Sequence, residues 1–407
     1  MRLTEKQADI IANRLMERVN DANIYFLEEI GGYLKQIKEL TPTKAQQLIQ
    51  ILKYGDTYDN IVKQIEKITN LNIREIDKIF KEYAKQDYQF YKKFYVYRNR
   101  PFIPFDRNMA LVNQTTALAN IVKNELYDFT RKNVLGYYSK DLNGNVTFTG
   151  LKETYNQILD DAFLKIGQGK ETFDTGMRDV LKQLGGSGLR YVDYESGRKV
   201  RLDSVVRTSI KSRLRELHNE NQNIIAEQID ADGVEISVHE NPAPDHQFVQ
   251  GKQFYKEEFE KLQKDGIAKD VNGTQYDMHL TTKDGTPYET FRPISELNCY
   301  HYFFTVVIGV SEPEYTDAQL KQIITNNNKG FELDGKHYTN YEGTQLQRKI
   351  ETAIRKQKDI KALAEASGDD ILVADARTKI TQLRIKYKQI TQASGLKPKP
   401  KRTRIWK

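Results

Sequence analysis

Residues 298–315 read NCYHYFFTVVIGVSEPEY. This is the one dense apolar run in an otherwise polar, helix-patterned chain, so its reading decides the fold class. Residues 302–310, YFFTVVIGV, are rich in β-branched and aromatic side chains and are long enough for one buried strand. The run starts beside Cys299, the only cysteine, and His301, one of six histidines. Residues two apart on a strand share a face, so Cys299 and His301 are expected side by side.

Upstream, GVEISVHE (233–240) alternates apolar and polar residues and reads as a second strand. PAPDHQFVQGKQF (242–254) carries turn signals, EEFEKLQKDG (257–266) is a short helix, and 270–297 reads as an irregular loop rich in Gly, Thr and Asp. Residues 232–316 therefore form a small mixed α+β module. It gathers four metal-capable side chains: His239 at the strand end, His246 in the next loop beside Asp245, then Cys299 and His301. Three imidazoles and a thiolate would complete a tetrahedral zinc site. The same residues also suit a hydrogen-bonded core around a small buried cysteine, and the plain core is preferred. The spacing matches no established zinc motif. A Cys–His nucleophile is disfavoured, because burial raises a thiol pKa and no residue orients the base. No P-loop, GxGxxG, HExxH or GxSxG is present.

The rest of the chain is patterned as helix. Ile10, Ile11, Leu15, Val19, Ile24, Leu27 and Ile30 recur at helical spacing up to Gly31-Gly32, after Thr4 and Gln7 at capping-box spacing. Further helices are expected from Thr41-Pro42 to Gly55, over 59–68, and over 73–97. The last contains YQFYKKFYVYR, whose mix of basic and aromatic residues could stack bases but reads first as a helix packed on two sides. RNRPFIPF (98–105) breaks it. Residues 106–184 are mostly helical, Gly185 to Gly188 read as a hinge, and 189–203 as a β-hairpin. A long helix capped by Asp203 or Ser204 runs to Ile229.

Beyond Thr316 the helical pattern returns, with Thr344 and Gln347 at capping-box spacing. Leu346, Ile350, Ile354, Ile360 and Leu363 form one face. Ser367-Gly368-Asp369 makes a turn. Ala376, Ile380, Leu383, Tyr387 and Ile390 then follow heptad steps to Gly395. The expected class is thus α+β: predominantly helical, with a small mixed module and a C-terminal helical hairpin. Four regions are expected: 1–100, 101–231, 232–316 and 317–407.

The net charge is +7, with an isoelectric point near 9.0. One cysteine excludes a disulfide framework and thiolate zinc fingers. No stretch approaches the ~20 apolar residues of a bilayer-spanning helix, and no signal-type apolar core is seen, so membrane insertion is not expected. Positive charge concentrates at the C-terminus. The hairpin's outer face carries Arg348, Lys349, Arg355, Lys356, Lys358, Lys361, Arg377, Lys379, Arg384, Lys386 and Lys388. The tail KPKPKRTRIWK follows, with no acid, and Lys397, Lys399, Lys401, Arg402 and Arg404 are candidate phosphate contacts.

Several blocks occur in order: RYVDYESGRKVRLDSVVRTSI (190–210), VEISVHENPAPDHQFVQGKQF (234–254), NCYHYFFTVVIGVSEPEYT (298–316) and YEGTQLQRKIETAIRKQK (341–358). Together with the closing basic segment 376–405 they resemble the phage minor capsid protein 2 family. The matching signatures are His239, Pro244 with His246, Gln250-Gly251-Lys252, Asn298-Cys299 with His301, and Gly309, Ser311, Glu312 and Pro313. Ala243, Val249 and Tyr300 depart from the family's usual arginine, tryptophan and arginine. The two lost arginines weaken any phosphate-binding role for this pocket.

The resemblance implies a non-enzymatic, low-copy structural component of the virion, without a cofactor unless a structural zinc is held. It implies association with the portal protein at the vertex during head assembly, in the capsid interior or the host cytoplasm, and help in DNA packaging or ejection. Major capsid or scaffold protein and packaged DNA are further expected partners. The alternative is a head-carried metal-dependent hydrolase or toxin-like enzyme using the His/Cys cluster.

Overall fold

The computed structural model describes residues 5–38, 57–130, 136–140, 146–187, 190–192, 199–279, 291–296 and 299–403. The expected helix from Thr41 to Gly55 and the Thr4 cap lie outside them. Eleven helices stand among the described residues: α1 (Glu5–Lys38), α2 (Thr57–Phe90), α3 (Lys92–Tyr97), α4 (Met109–Thr130), α5 (Leu151–Gly167), α6 (Phe173–Ser187), α7 (Leu202–Ile229), α8 (Lys256–Asp265), α9 (Asp317–Lys329), α10 (Asn340–Ala366) and α11 (Asp370–Ser394). The fold is predominantly helical α+β, with the expected C-terminal helical pair.

Helices α1, α2, α4 and α7 pack on one another, and α10 lies against α1 and α6. One apolar core runs through them, from Ala8 and Leu27 through Phe80, Leu111, Leu181 and Ile210 to Leu363 and Ala376. The aromatic run, apart from the exposed Tyr97, belongs to this core. Tyr88, Tyr91, Phe94 and Tyr95 are buried. Tyr88 stacks on Phe102 at 4.7 Å, and its hydroxyl donates to the Ile103 carbonyl at 2.9 Å. These rings are therefore spent on packing and are not available to nucleic-acid bases.

The two glycine pairs read as helix ends do not end helices. Helix α1 continues through Gly31-Gly32, and α6 through Gly185-Gly186. The reason is close crossing. A Cβ at Gly31 would lie 2.5 Å from Ala366 Cβ, and one at Gly185 would lie 2.7 Å from Ile360 Cα. Both glycines let α10 approach backbone to backbone. Gly185→Ala is expected to destabilise the fold by about 1–3 kcal/mol despite alanine's better helix propensity, because α10 must retreat. Gly32→Ala meets nothing within 4 Å and should stabilise by about 0.5–1 kcal/mol. Urea unfolding of both variants checks this; a neutral Gly185→Ala would show that the crossing opens without cost.

The strands form small antiparallel sheets. Strands β1 (Gly136–Lys140) and β2 (Val146–Gly150) pair, as do β3 (Arg190–Val192) and β4 (Lys199–Arg201), the latter being the expected hairpin. Later in the chain come β5 (Gly233–Ile236), β6 (Gln253–Tyr255), β7 (Ile267–Lys269), β8 (Gln275–Asp277), β9 (Phe303–Val306), β10 (Phe331–Leu333) and β11 (Lys336–Tyr338). The one three-stranded sheet among the described residues has the order β6-β5-β9, with Val234 opposite Phe254 and Thr305. The apolar run of 302–310 thus supplies an edge strand.

Both faces of that strand are nonetheless covered. Phe303 meets Phe259 of α8 at 5.2 Å, while Phe304, on the opposite face, meets the His218 ring of α7 at 5.2 Å. Double coverage explains why the run is continuously apolar instead of alternating. Glu235 is buried too, with Gln253 Nε2 donating to it at 2.8 Å.

Caps set several boundaries. Gly266 and Gly395 end α8 and α11 in the left-handed region, at φ 71° and 67°. Asp369 caps α11 through its carboxylate. The expected Thr344–Gln347 box is not a cap: Thr344 lies inside α10, its hydroxyl on the Tyr341 carbonyl. Among the described residues, capping boxes stand at Thr316/Gln319 and Thr339/Glu342. Between them lies a short hairpin, β10–β11, absent from the sequence reading because its strands are three residues each.

Candidate metal centre and basic surface

The cluster is assembled by the two segments flanking the three-stranded sheet. After β5 the chain turns through 239–250 and returns as β6; before β9 it passes 299–302. Cys299 and His301 are not on a strand, as the alternation suggested, but in the extended approach to it. They still meet. Cys299 Sγ lies 3.5 Å from Nδ1 of His301 and 3.5 Å from Nδ1 of His246. All three side chains are buried, and their nearest ligand atoms lie within 4.8 Å of one another.

Each imidazole is held from its far side. His246 Nε2 donates to the Arg292 carbonyl at 2.6 Å. Arg292 is positioned by Asp245, which accepts its Nε and Nη2 hydrogens at 3.1 and 3.0 Å. His301 Nε2 faces Gln250 Oε1 at 3.3 Å, and the same oxygen accepts the His239 backbone N–H at 2.9 Å. Ser295 Oγ donates to the His301 carbonyl. His239 lies half-buried with its ring 4.5 Å from that of His301, outside the tight trio. Gln250 and Arg292 were not singled out as site residues by the sequence reading. Gln250 sits in the quoted Gln-Gly-Lys signature, which was the available signal; Arg292 carried none.

The electrostatics follow from this packing. Burial alone would raise the Cys299 thiol, but the hydrogen bond and charge of His246 outweigh it and hold the thiol below its ordinary range. Burial pushes His246 down, yet the Cys299 sulfur, Asp245 and the Arg292 carbonyl raise it overall. The expectation that burial keeps the thiol up is thus corrected by its partner. His301 is driven well down, first by burial and then by the positive charge of His239, His246, Arg292 and Arg215. A cavity of about 1570 Å³ adjoins the cluster, lined by His239, Tyr300, His301, Arg348 and Lys397 among others.

The basic surface divides in two. Lys397, Lys399 and Lys401 are exposed, as are Arg384, Lys386 and Lys388. No acid occurs after Asp375. Arg402 does not belong with them. It is 9% exposed, its guanidinium lying 3.7 Å from Asp9 and 3.9 Å from Glu351, while its carbonyl accepts from Arg355. Arg355 is likewise turned inward and leaves the outer face. Lys358 donates to the Thr403 carbonyl, so the tail is strapped to α10. Lys361 and Arg377 pair with Glu365, and Lys379 with Asp375. Arg404 lies outside the described residues.

His218 is a further buried site residue that sequence reading missed. Its Nδ1 lies 2.8 Å from Asp87 Oδ2 and its Nε2 2.8 Å from the Phe303 carbonyl. It ties α2 and α7 to β9.

No helix among the described residues is long and apolar enough to cross a membrane. No curated protein and no solved structure matches the chain. The model of a family described as phage minor capsid protein 2 matches residues 3–391.

Proposed function

Because the chain belongs to the phage minor capsid protein 2 family, we propose that it sits at or near the portal vertex, assists head assembly there, and turns its basic C-terminal surface to packaged DNA. Membership makes it a minor capsid protein, a structural component of the virion. The vertex is the proposed location because a low-copy component needs a site the shell does not repeat. The portal protein is the proposed partner, with major capsid or scaffold protein as further contacts.

The observation that carries the DNA reading is the acid-free stretch after Asp375, with Arg384, Lys386, Lys388, Lys397, Lys399 and Lys401 all exposed. Phosphates would take these charges by counterion release. A hydrolase using the His/Cys cluster would need substrate at Cys299 or His246, which are 1% and 0% exposed. The non-enzymatic reading is therefore favoured.

Quantitative mass spectrometry of DNA-filled particles tests the location. A copy number comparable with the portal supports it, and absence from particles overturns it. For the DNA contact, full-length protein should bind duplex with a steep salt dependence. Replacing Lys397, Lys399 and Lys401 by glutamine should flatten the log–log slope by about 2–3. An unchanged slope would remove the tail from the interface.

A further inference from the structure

We propose that His246, Cys299 and His301 bind one transition-metal ion, zinc by the chemistry of the donor set, through two Nδ1 atoms and the sulfur. The argument rests on counting hydrogens. A neutral imidazole carries one N–H. His246 spends its own on the Arg292 carbonyl, an oxygen that only accepts, 2.6 Å from Nε2. His301 directs Nε2 at Gln250 Oε1. The orientation of that amide is fixed, because the same oxygen accepts the His239 backbone N–H. Both Nδ1 atoms therefore present lone pairs, and both present them to one sulfur at 3.5 Å.

A thiol has one proton and can satisfy only one of them. Passing that proton to His246 gives the thiolate two donors, His246 Nδ1 and the His301 backbone N–H at 3.4 Å, but still leaves it facing the His301 lone pair. One cation between the three atoms satisfies them all.

The spacing agrees. Zn–S of ~2.3 Å and Zn–N of ~2.0–2.1 Å at a tetrahedral angle separate sulfur and nitrogen by ~3.6 Å, close to the 3.5 Å found for both pairs. The oxygens behind the rings are the outer partners that metal-bound histidines use to fix tautomer and orientation. The fourth position falls to solvent or to the neighbouring His239. Binding exchanges the thiol proton for the metal, and that proton leaves to solvent. The ion would staple the 239–250 turn to the approach of β9, a folding role independent of the virion reading.

The first test is metal analysis of purified full-length protein, followed by cobalt(II) titration of chelator-stripped protein. One zinc per chain is expected. Cobalt should give a thiolate-to-metal charge-transfer band together with tetrahedral d–d bands, and both should be lost in Cys299→Ser. X-ray absorption of the zinc form should count one sulfur and two or three imidazoles. Chelator should lower the melting temperature of the wild type and leave Cys299→Ser unmoved. Metal-free protein that shows no cobalt band overturns the proposal without requiring any variant to fold. So does zinc retained at full stoichiometry in Cys299→Ser.

Discussion

Replacing His218 with alanine is expected to cost the fold about 3–5 kcal/mol. His218 is wholly buried, and both ring nitrogens are engaged, one by the 1%-exposed Asp87 and one by the Phe303 carbonyl. Alanine leaves that carboxylate in the interior with Gln222 Nε2 as its remaining hydrogen-bond donor among the described side chains, at 3.2 Å. It also opens a cavity edged by Tyr302 and Phe304, whose rings meet the imidazole at 5.3 and 5.2 Å. Urea unfolding measures the loss. The same substitution in an Asp87→Ala background should cost less, with a coupling of about 1–3 kcal/mol. A single-variant loss below about 1 kcal/mol would mean that the pair does not anchor β9 to α2.

Asp9→Ala should be nearly as damaging, at about 2–4 kcal/mol. Arg207 and Lys211 of α7 each lie 2.9 Å from Asp9, and Arg402 of the tail lies 3.7 Å away. Removing the carboxylate leaves three cations facing one another in a site that is largely closed to water. Burial would raise the Asp9 carboxyl, but Lys211, Arg207 and Arg402 together hold it far below the usual range. A depressed folded-state pKa contributes stability that is complete above the unfolded value, about 4, and is lost as pH falls through the folded one. The wild type should therefore weaken in acid by more than the variant does. The stability gap between them should narrow steadily below pH 4. A gap unchanged between neutral pH and pH 3 would remove Asp9 from the acid response.

Arg402 shows how far charge patterning reaches. A run of cations without an acid reads as a solvated or phosphate-facing tail, and Lys397, Lys399 and Lys401 are indeed exposed. One residue later the chain turns inward, because its neutralising acids, Asp9 and Glu351, come from α1 and α10. Nothing within several residues of Arg402 announces them. The same holds for the trio. The residues that meet were legible as a cluster from Pro-x-His and Asn-Cys-x-His, yet their hydrogen-bond surroundings were not. These depend on Arg292 and Gln250, brought in by loop closure.

Short-range energetics, legible along the chain, account for the class and for several helix ends. Helical and strand periodicities set the class. Left-handed glycines stopped α8 and α11, and Asp369 capped its helix through its own carboxylate. These terms act within about one helical turn, so they can be read along the chain. Tertiary structure alone decided that Gly31 and Gly185 serve crossings and do not end helices, that the strand run is covered on both faces, and that Arg402 is a structural cation. It also brought two imidazole Nδ1 atoms to one sulfur. Each of these depends on atoms far apart in sequence, whose distances are set only when the helices and the small sheet close on one another.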